Sequence, residues 1–226
     1  DAVEKELQKH FPGATYRKTP HPVYEIFGVA VEKAAARKRL GISAKNVILY
    51  FGYVRRYKGV MVLLEAMQRI CESQSEVGEM LLLVVGEFYD DESKYRRRAR
   101  ELHLESNVRF VAEYVPNEDV ARYFCAADVV VLPYLSATQS GIAQIAYNFD
   151  KPLIVTDVGG LAEVVLHEKT GFVVRPNDPQ ALAKAIMRFY VENHEEEFSA
   201  NVKIAKRAYS WENLVHRFSS SSASSI

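Results

Sequence analysis

The sequence has few cysteines and no long apolar run, and each absence excludes a class of protein. Cys71 and Cys125 are the two cysteines among 226 residues, and neither has a Cys or His nearby at metal-ligand spacing. We interpret both as core thiols of a reducing compartment and expect no bound metal. No apolar run approaches the ~20 residues that span a bilayer, and no signal peptide opens the chain. We therefore expect a cytoplasmic protein.

Excess charge and the common nucleotide-binding fingerprints are also missing. Lys+Arg and Asp+Glu both number 29, so net charge gives no indication of nucleic acid. The basic run at residues 94–98 has no interleaved aromatic side chains, and we interpret it as a solvated helix face. The first long apolar run is followed by neither Gly-x-Gly-x-x-Gly nor a P-loop lysine with Ser or Thr after it. These absences disfavour nucleic-acid, nicotinamide and P-loop proteins.

The sequence does contain a regular alternation of short apolar runs and amphipathic segments from residue 47 onward. The runs are rich in Val, Ile and Leu, and several lack period-two alternation, which is typical of parallel strands buried on both faces. The runs span residues 47–53, 80–86, 108–114, 129–134, 152–158 and 171–175. The amphipathic segments span residues 61–71, 92–102, 117–125, 142–149, 161–166 and 179–191. The pattern predicts an α/β fold with a doubly wound, Rossmann-like parallel sheet.

The two ends of the chain have a different composition. Pro20 and Pro22 favour an extended segment over residues 15–22. Short helices are predicted at residues 2–10 and 34–40. We divide the chain into a linker, a ligand-binding domain and a disordered tail, at residues 1–44, 45–218 and 219–226. Because the chain begins with Asp1 and not with methionine, we expect it to be a piece of something longer.

The loop after the first apolar run, at residues 51–59, collects basic side chains at the start of a helix. Gly52 permits tight passage of the backbone, and Arg55, Arg56 and Lys58 follow it. Basic residues at a helix N-terminus oppose the helix dipole unless an anion lies there. We therefore favour an anion site over a solvated loop, with Lys58 ahead of either arginine.

The fourth and fifth apolar runs also end in turns with backbone N–H groups available. Residues 136–141 are small and rich in hydroxyls and lead into a helical pattern from Ile142, while Gly159-Gly160 follows the fifth run. Ligands of open α/β sheets bind at the carboxyl ends of the strands, so we expect a phosphate-bearing ligand here. Glu163, just beyond the glycines, is either a functional carboxylate or an ordinary acidic residue in a first helical turn.

These loops belong to a longer ordered set of motifs. Through that set, residues 47–218 resemble the donor-binding, C-terminal domain of the family 4 retaining glycosyltransferases, which have the GT-B fold. The landmarks occur in the family's order, and the ordered set is far more specific than any one of them. They lie at residues 52–59, 84–87, 107–110, 115–116, 126–128, 131–133, 151–152, 156–165, 170–176 and 209–211.

The resemblance implies transfer of a sugar from a UDP- or GDP-sugar to an acceptor, with retention at the anomeric carbon and no required metal or other cofactor. Lys58 and Arg55 would stabilise the departing nucleoside diphosphate, and Glu163 would orient the sugar hydroxyls. The donor would also contact the glycine turns, strand ends and helix start, at Gly52, Gly86, Val115, Ser140, Gly141, Ile142, Gly159 and Gly160.

Two departures from the family pattern shape this hypothesis. The glutamates of the family's Glu-x7-Glu motif fall at Ala137 and Ile145, so recognition of the donor must differ in detail. The acceptor-binding N-terminal domain is absent, and residues 1–22 resemble only its final helix and strand, with the crossover at His21-Pro22. We therefore expect the chain alone to be inactive. A peripheral association of the full-length protein with a membrane stays open.

Two other functions stay open. A non-catalytic module that binds a nucleotide-sugar or another phosphorylated ligand is favoured by the missing glutamates. A nucleotide-sugar epimerase of the same fold would need a carboxylate for proton abstraction, for which Glu163 is the candidate.

Overall fold

The computed structural model describes residues 2–14, 22–24, 26–73, 78–213 and 215. Two predicted segments lie largely outside the described residues. They are the disordered tail and the extended segment at residues 15–22, of which only Pro22 is described. His21 of the predicted crossover is also outside the described residues. None of the described helices combines the length and apolar character that a bilayer span requires.

Strands and helices alternate regularly through the domain. The strands are β1 (Asn46–Phe51), β2 (Met80–Val85), β3 (Val108–Val111), β4 (Val129–Leu132), β5 (Leu153–Thr156) and β6 (Gly171–Val174). The helices are α1 (Ala2–His10), α2 (Lys33–Arg39), α3 (Val60–Glu72), α4 (Glu92–Glu101), α5 (Asn117–Ala126), α6 (Gly141–Asn148), α7 (Pro179–Val191) and α8 (Glu195–Ala205). Short 3₁₀ turns form at Arg56–Lys58, Ala162–Val164 and Lys206–Tyr209.

The six strands form one sheet in the order β3-β2-β1-β4-β5-β6. Every neighbouring pair is parallel. The strand order reverses between β1 and β4, and an open α/β sheet forms its ligand crevice at such a switch point, beside the carboxyl ends of the strands. The predicted doubly wound, Rossmann-like α/β fold is confirmed.

The core lies along the central strands of this sheet. Every residue of β1, β2, β4 and β5 is buried, which explains why their apolar runs are nearly continuous. Helix α3 packs against α7, and α2 packs against α5. The interior strands are therefore rigid supports for the loops at their carboxyl ends.

The predicted helix at residues 161–166 is wrong, because the structure has only a 3₁₀ turn at Ala162–Val164. The turn has no side-chain hydrogen bond at its N-cap, and Val165 already adopts an extended backbone with φ −97° and ψ 117°. The adjacent β-branched residues Val164 and Val165 have low helix propensity, and six residues are too few to offset the cost of helix nucleation.

Helix α8 was not predicted from the sequence. Its first turn holds Glu195, Glu196 and Glu197, and Phe198 and Val202 are its buried residues. An apolar stripe of two side chains one turn apart is too narrow to give a clear helical pattern.

The segment predicted as a linker includes residues that pack on the domain. Val23, Ala36 and Ala44 are buried within the common core, and the amide N–H of Val23 donates to the Tyr209 carbonyl at 2.9 Å. The division of the chain at residue 45 stays a prediction, but the core extends into residues before it.

Candidate functional site

The loops that follow β1 and β4 meet at the switch point of the sheet. The amide N–H of Leu135 donates to the Tyr57 carbonyl at 2.7 Å. Gly59 has φ +73°, and a Cβ there would overlap the Pro133 carbonyl oxygen. Only glycine adopts this left-handed backbone readily and leaves room for the carbonyl. The close contact brings the basic turn at Arg56–Lys58 against the first residues after β4.

A cleft of about 550 Å³ opens beside these loops. Eight of the eleven predicted site residues line it: Gly52, Arg55, Lys58, Gly86, Val115, Ser140, Gly141 and Ile142. Gly159, Gly160 and Glu163 are not among the lining residues. The volume falls in the range of small-molecule sites.

Lys58 brings a positive charge into this cleft. Its side chain is half-buried, and its Nζ lies 3.7 Å from the centre of the Tyr134 ring and 5.2 Å from that of Tyr57. Burial, followed by the positive charge of Arg55, lowers the pKa of Lys58 to about 8. Among the described residues, no ion pair involves Lys58 or Arg55. Both cations are therefore available to an anionic ligand.

Arg55 is exposed and held over aromatic rings. Its guanidinium carbon lies 4.3 Å from the Tyr89 ring centre and 5.9 Å from that of Tyr53, and the two rings contact each other edge to face at 4.7 Å. Stacking on aromatic faces restricts the guanidinium without neutralising its charge.

The N-terminus of α6 supplies backbone donors on the wall formed after β4. Ser140 occupies the N-cap, but its side chain makes no capping hydrogen bond. The Ser140 hydroxyl instead pairs with the Tyr134 hydroxyl at 3.2 Å. The first N–H groups of a helix have no partner within the helix and carry its positive dipole end. Gly141 and Ile142 therefore present polar groups suited to an anion.

Gly159 and Gly160 contact the loop that leads into α6 and are not among the residues that line the cleft. Gly159 has φ +51°, and a Cβ there would overlap the Ala137 carbonyl oxygen. The amide N–H of Gly160 donates to the Thr138 carbonyl at 2.8 Å. The turn after β5 thus fixes the loop that leads into α6.

Glu163 lies apart from the residues that line the cleft. It is exposed, on the 3₁₀ turn at Ala162–Val164. Burial, followed by the negative charge of Glu163, raises the pKa of Tyr209. Its predicted role at the sugar stays a prediction.

Several lining residues were missed from the sequence. They are mainly aromatic and acidic, and include Phe27, Tyr53, Tyr57, Glu87, Glu113, Tyr114, Asn117 and Gln139. The tyrosines at 53, 57 and 114 are at least 40% exposed, which is unusual for large rings. Exposure cannot be read from a single sequence, although Tyr53 and Tyr57 flank the basic loop that was recognised. The residue in the second glutamate position, Ile145, also lines the cleft.

No group of three or more His, Cys, Asp or Glu side chains that could hold a metal occurs among the described residues. The charges that line the cleft are instead two cations on one wall and two carboxylates, Glu87 and Glu113, after β2 and β3.

The fold and the cleft together define a Rossmann-like α/β domain whose switch-point cleft holds Lys58, Arg55 and the N-terminus of α6. Residues 45–192 match the family described as Glycosyl transferases group 1. The chain belongs to this family. It is similar to the putative glycosyltransferase YtcC of Bacillus subtilis, with 34% identity over 178 residues, which is 76% of this chain and 42% of that protein.

Solved structures that resemble the chain include glycosyltransferases and a sucrose-phosphate synthase. Sucrose-phosphate synthase from Thermosynechococcus elongatus superposes with a TM-score of 0.77 and 28% identity, covering 96% of this chain and 55% of that one. Anabaena Alr3699/HepE, solved with UDP and glucose, superposes with a TM-score of 0.72 and 22% identity over 89% of this chain and 56% of that one. At that identity the likeness shows the fold alone. The chain spans about half the length of the curated relatives it matches.

Proposed function

We propose that this domain binds the nucleotide-sugar donor of a retaining, family 4 glycosyltransferase. The observation that carries the proposal is the placement of Lys58 and Arg55, which lack carboxylate partners among the described residues, in one cleft with the N-terminus of α6. Paired cations and helix N–H groups are suited to a diphosphate. The UDP complex of the structurally similar Alr3699/HepE supports this ligand class.

In the proposed reaction, negative charge develops on the nucleoside diphosphate as it leaves the anomeric carbon. Lys58, Arg55 and the N–H groups of Gly141 and Ile142 would stabilise that charge in the transition state, in the manner of a preorganised electrostatic site. Since protein cations supply this stabilisation, we propose that no metal ion is required.

The nucleoside would lie toward the other end of the cleft, near Gly86 and Val115. Ile145 cannot hold the ribose hydroxyls as a glutamate would, so recognition of those hydroxyls falls to polar side chains elsewhere in the cleft. Glu87, Glu113 and Asn117 line it. Glu163 would act on the sugar, which requires that the donor extend past the turn at Gly159-Gly160.

The proposal is tested by calorimetric titration of the 226-residue chain with UDP and GDP. Without an opposing domain the ligand stays partly hydrated, which weakens its electrostatic contacts, so we expect a dissociation constant nearer ~1 mM than ~1 μM. Removing a charge-assisted hydrogen bond costs about 1.5–3 kcal/mol, so Lys58→Ala should weaken binding by roughly one to two powers of ten.

Lys94→Ala is the matched control, because Lys94 is exposed on α4 and should leave affinity unchanged. An intact Lys58→Ala protein that binds both nucleotides as tightly as the wild type would refute the assignment.

A non-catalytic binding module is the second candidate, and Ile145 in the cleft is the observation that favours it. An experiment on the full-length protein distinguishes a transferase from a binding module. A transferase consumes a nucleotide-sugar in the presence of its acceptor, whereas a binding module retains it unchanged.

A further inference from the structure

Tyr134 lies two residues beyond the end of β4, and its ring lies directly beneath the Lys58 ammonium. The distance from Nζ to the ring centre is 3.7 Å, well within the range of a cation–π contact. Tyr134 itself is fully buried, so water does not screen the ring from below. No sequence feature indicated this contact, because it joins residues that follow two different strands.

The Tyr134 ring is fixed from several directions. Its hydroxyl pairs with the Ser140 hydroxyl at 3.2 Å, and its carbonyl accepts a hydrogen bond from the Thr156 hydroxyl at 2.5 Å. Burial raises the pKa of Tyr134, so the hydroxyl stays protonated. A ring held in this way gives Lys58 a defined position instead of the many rotamers open to an exposed lysine.

An aromatic ring and a carboxylate have different effects on the ammonium that they hold. A carboxylate would neutralise Lys58 and compete with an incoming phosphate, whereas the ring attracts the cation and leaves its full charge. Burial in the cleft already disfavours the charged form of Lys58, so a partner that stabilises the cation without neutralising it favours anion binding. The ring supports the lysine on the side away from the cleft and leaves its donors free for the ligand.

We propose that Tyr134 is a positioning residue for diphosphate binding, whose buried ring holds Lys58 in place. The inference rests on the proposed function, since it assumes that Lys58 contacts a diphosphate. Tyr134 itself lies outside the set of residues that line the cleft and acts through Lys58.

The test separates the ring from the hydroxyl by measuring UDP affinity of the 226-residue chain with two variants. Tyr134→Leu removes the ring face, and we expect affinity to fall about three- to thirtyfold, the range that corresponds to a partly desolvated cation–π contact. Tyr134→Phe keeps the ring, so it should restore most of that affinity. Should Tyr134→Leu fail to fold, Tyr134→Met supplies an apolar side chain of more adaptable shape.

A double-mutant cycle distinguishes action through Lys58 from a general loosening of the loop. If Tyr134 acts through Lys58, adding Tyr134→Leu to Lys58→Ala should cause little further loss. Equal losses in the two backgrounds, or a Tyr134→Phe variant as weak as Tyr134→Leu, would overturn the role of the ring. If Lys58→Ala itself leaves UDP affinity unchanged, the proposed function fails, and this inference fails with it.

Discussion

At the scale of single residues, the proposed ligand binding depends on two cations of the cleft, Lys58 and Arg55, that have no carboxylate partner among the described residues. Some cations elsewhere on the domain are paired with carboxylates. Arg37 reaches the buried Asp128 at 2.8 Å, and Lys33 reaches Glu195 at 2.7 Å. Lys58 and Arg55 instead rest on tyrosine rings. Both line the cleft without a carboxylate partner among the described residues, which leaves their charge available to a ligand.

If Lys58 contacts the diphosphate as proposed, its pKa of about 8 should make nucleotide binding sensitive to mild alkali. Below that pH the ammonium is charged and attracts the diphosphate, and above it the charge is lost. We therefore expect UDP affinity to fall as the pH rises from about 7.5 to 9.5. Calorimetry across this range measures the change.

The control for this pH dependence is Lys58→Arg. Arginine stays charged throughout the range, so the variant should show a flat profile above pH 8, whatever its absolute affinity. A wild-type profile that is also flat to pH 9.5 would show that Lys58 does not contact the ligand or that its pKa is not lowered.

Glu163 should affect the sugar and not the nucleotide, because a carboxylate beside phosphate would repel it. We expect Glu163→Gln to weaken binding of the cognate nucleotide-sugar, or turnover by the whole enzyme, while UDP or GDP affinity changes little. Exposed Glu105, before β3, provides the control variant Glu105→Gln. Equal losses for the nucleotide-sugar and the bare diphosphate would contradict the assignment.

At the scale of elements, the sequence predicts the strands but not the contacts between loops that hold the site in place. Continuous Val, Ile and Leu runs identify buried strands such as β1 and β4, and parallel strands place their carboxyl ends at one edge. The convergence of Lys58 with Ser140 and Gly141 could therefore be expected from the sequence. The position of Gly159-Gly160 behind the loop could not, because it depends on packing between loops far apart in sequence.

The contact between the loops after β1 and β4 should fail when Gly59 is replaced. In the left-handed region a residue with a Cβ costs roughly 1–2 kcal/mol, and at Gly59 that Cβ would also overlap the Pro133 carbonyl. Gly41 has φ +58° with no atom within 4 Å of the added Cβ, so Gly41→Ala isolates the backbone cost.

We expect Gly59→Ala to lower the free energy of unfolding by clearly more than Gly41→Ala, and to weaken UDP binding as well. Urea unfolding and calorimetry on the two variants measure both effects. A Gly59→Ala protein as stable and as tight-binding as Gly41→Ala would show that the loops are not held together in this way.

At the scale of the whole molecule, charged side chains tie distant parts of the chain together at the amino end of the sheet. Asp128 is 2% exposed and accepts from the amide N–H of Val47 at 2.6 Å, and it pairs with Arg37 of α2 and Lys33. Lys33 in turn reaches Glu195 of α8. Residues before β1 and after β6 are thus joined through one chain of ion pairs around the buried Asp128, at the end of the sheet opposite the cleft.

The complete sheet and its buried ion pairs lead to a prediction for the chain as a unit. We expect residues 1–226 to unfold in one cooperative transition in urea, with circular dichroism and tyrosine fluorescence giving coincident curves. We expect the same chain to bind UDP or GDP weakly and to transfer no sugar from UDP-glucose, UDP-N-acetylglucosamine or GDP-mannose, because we propose that a second domain binds the acceptor. The curated relatives are about twice as long, and the acceptor groups would come from that additional length. Sugar transfer by this chain alone would show that the division of labour proposed for the two halves is wrong, whereas binding without transfer, followed by turnover in the full-length protein, would support it.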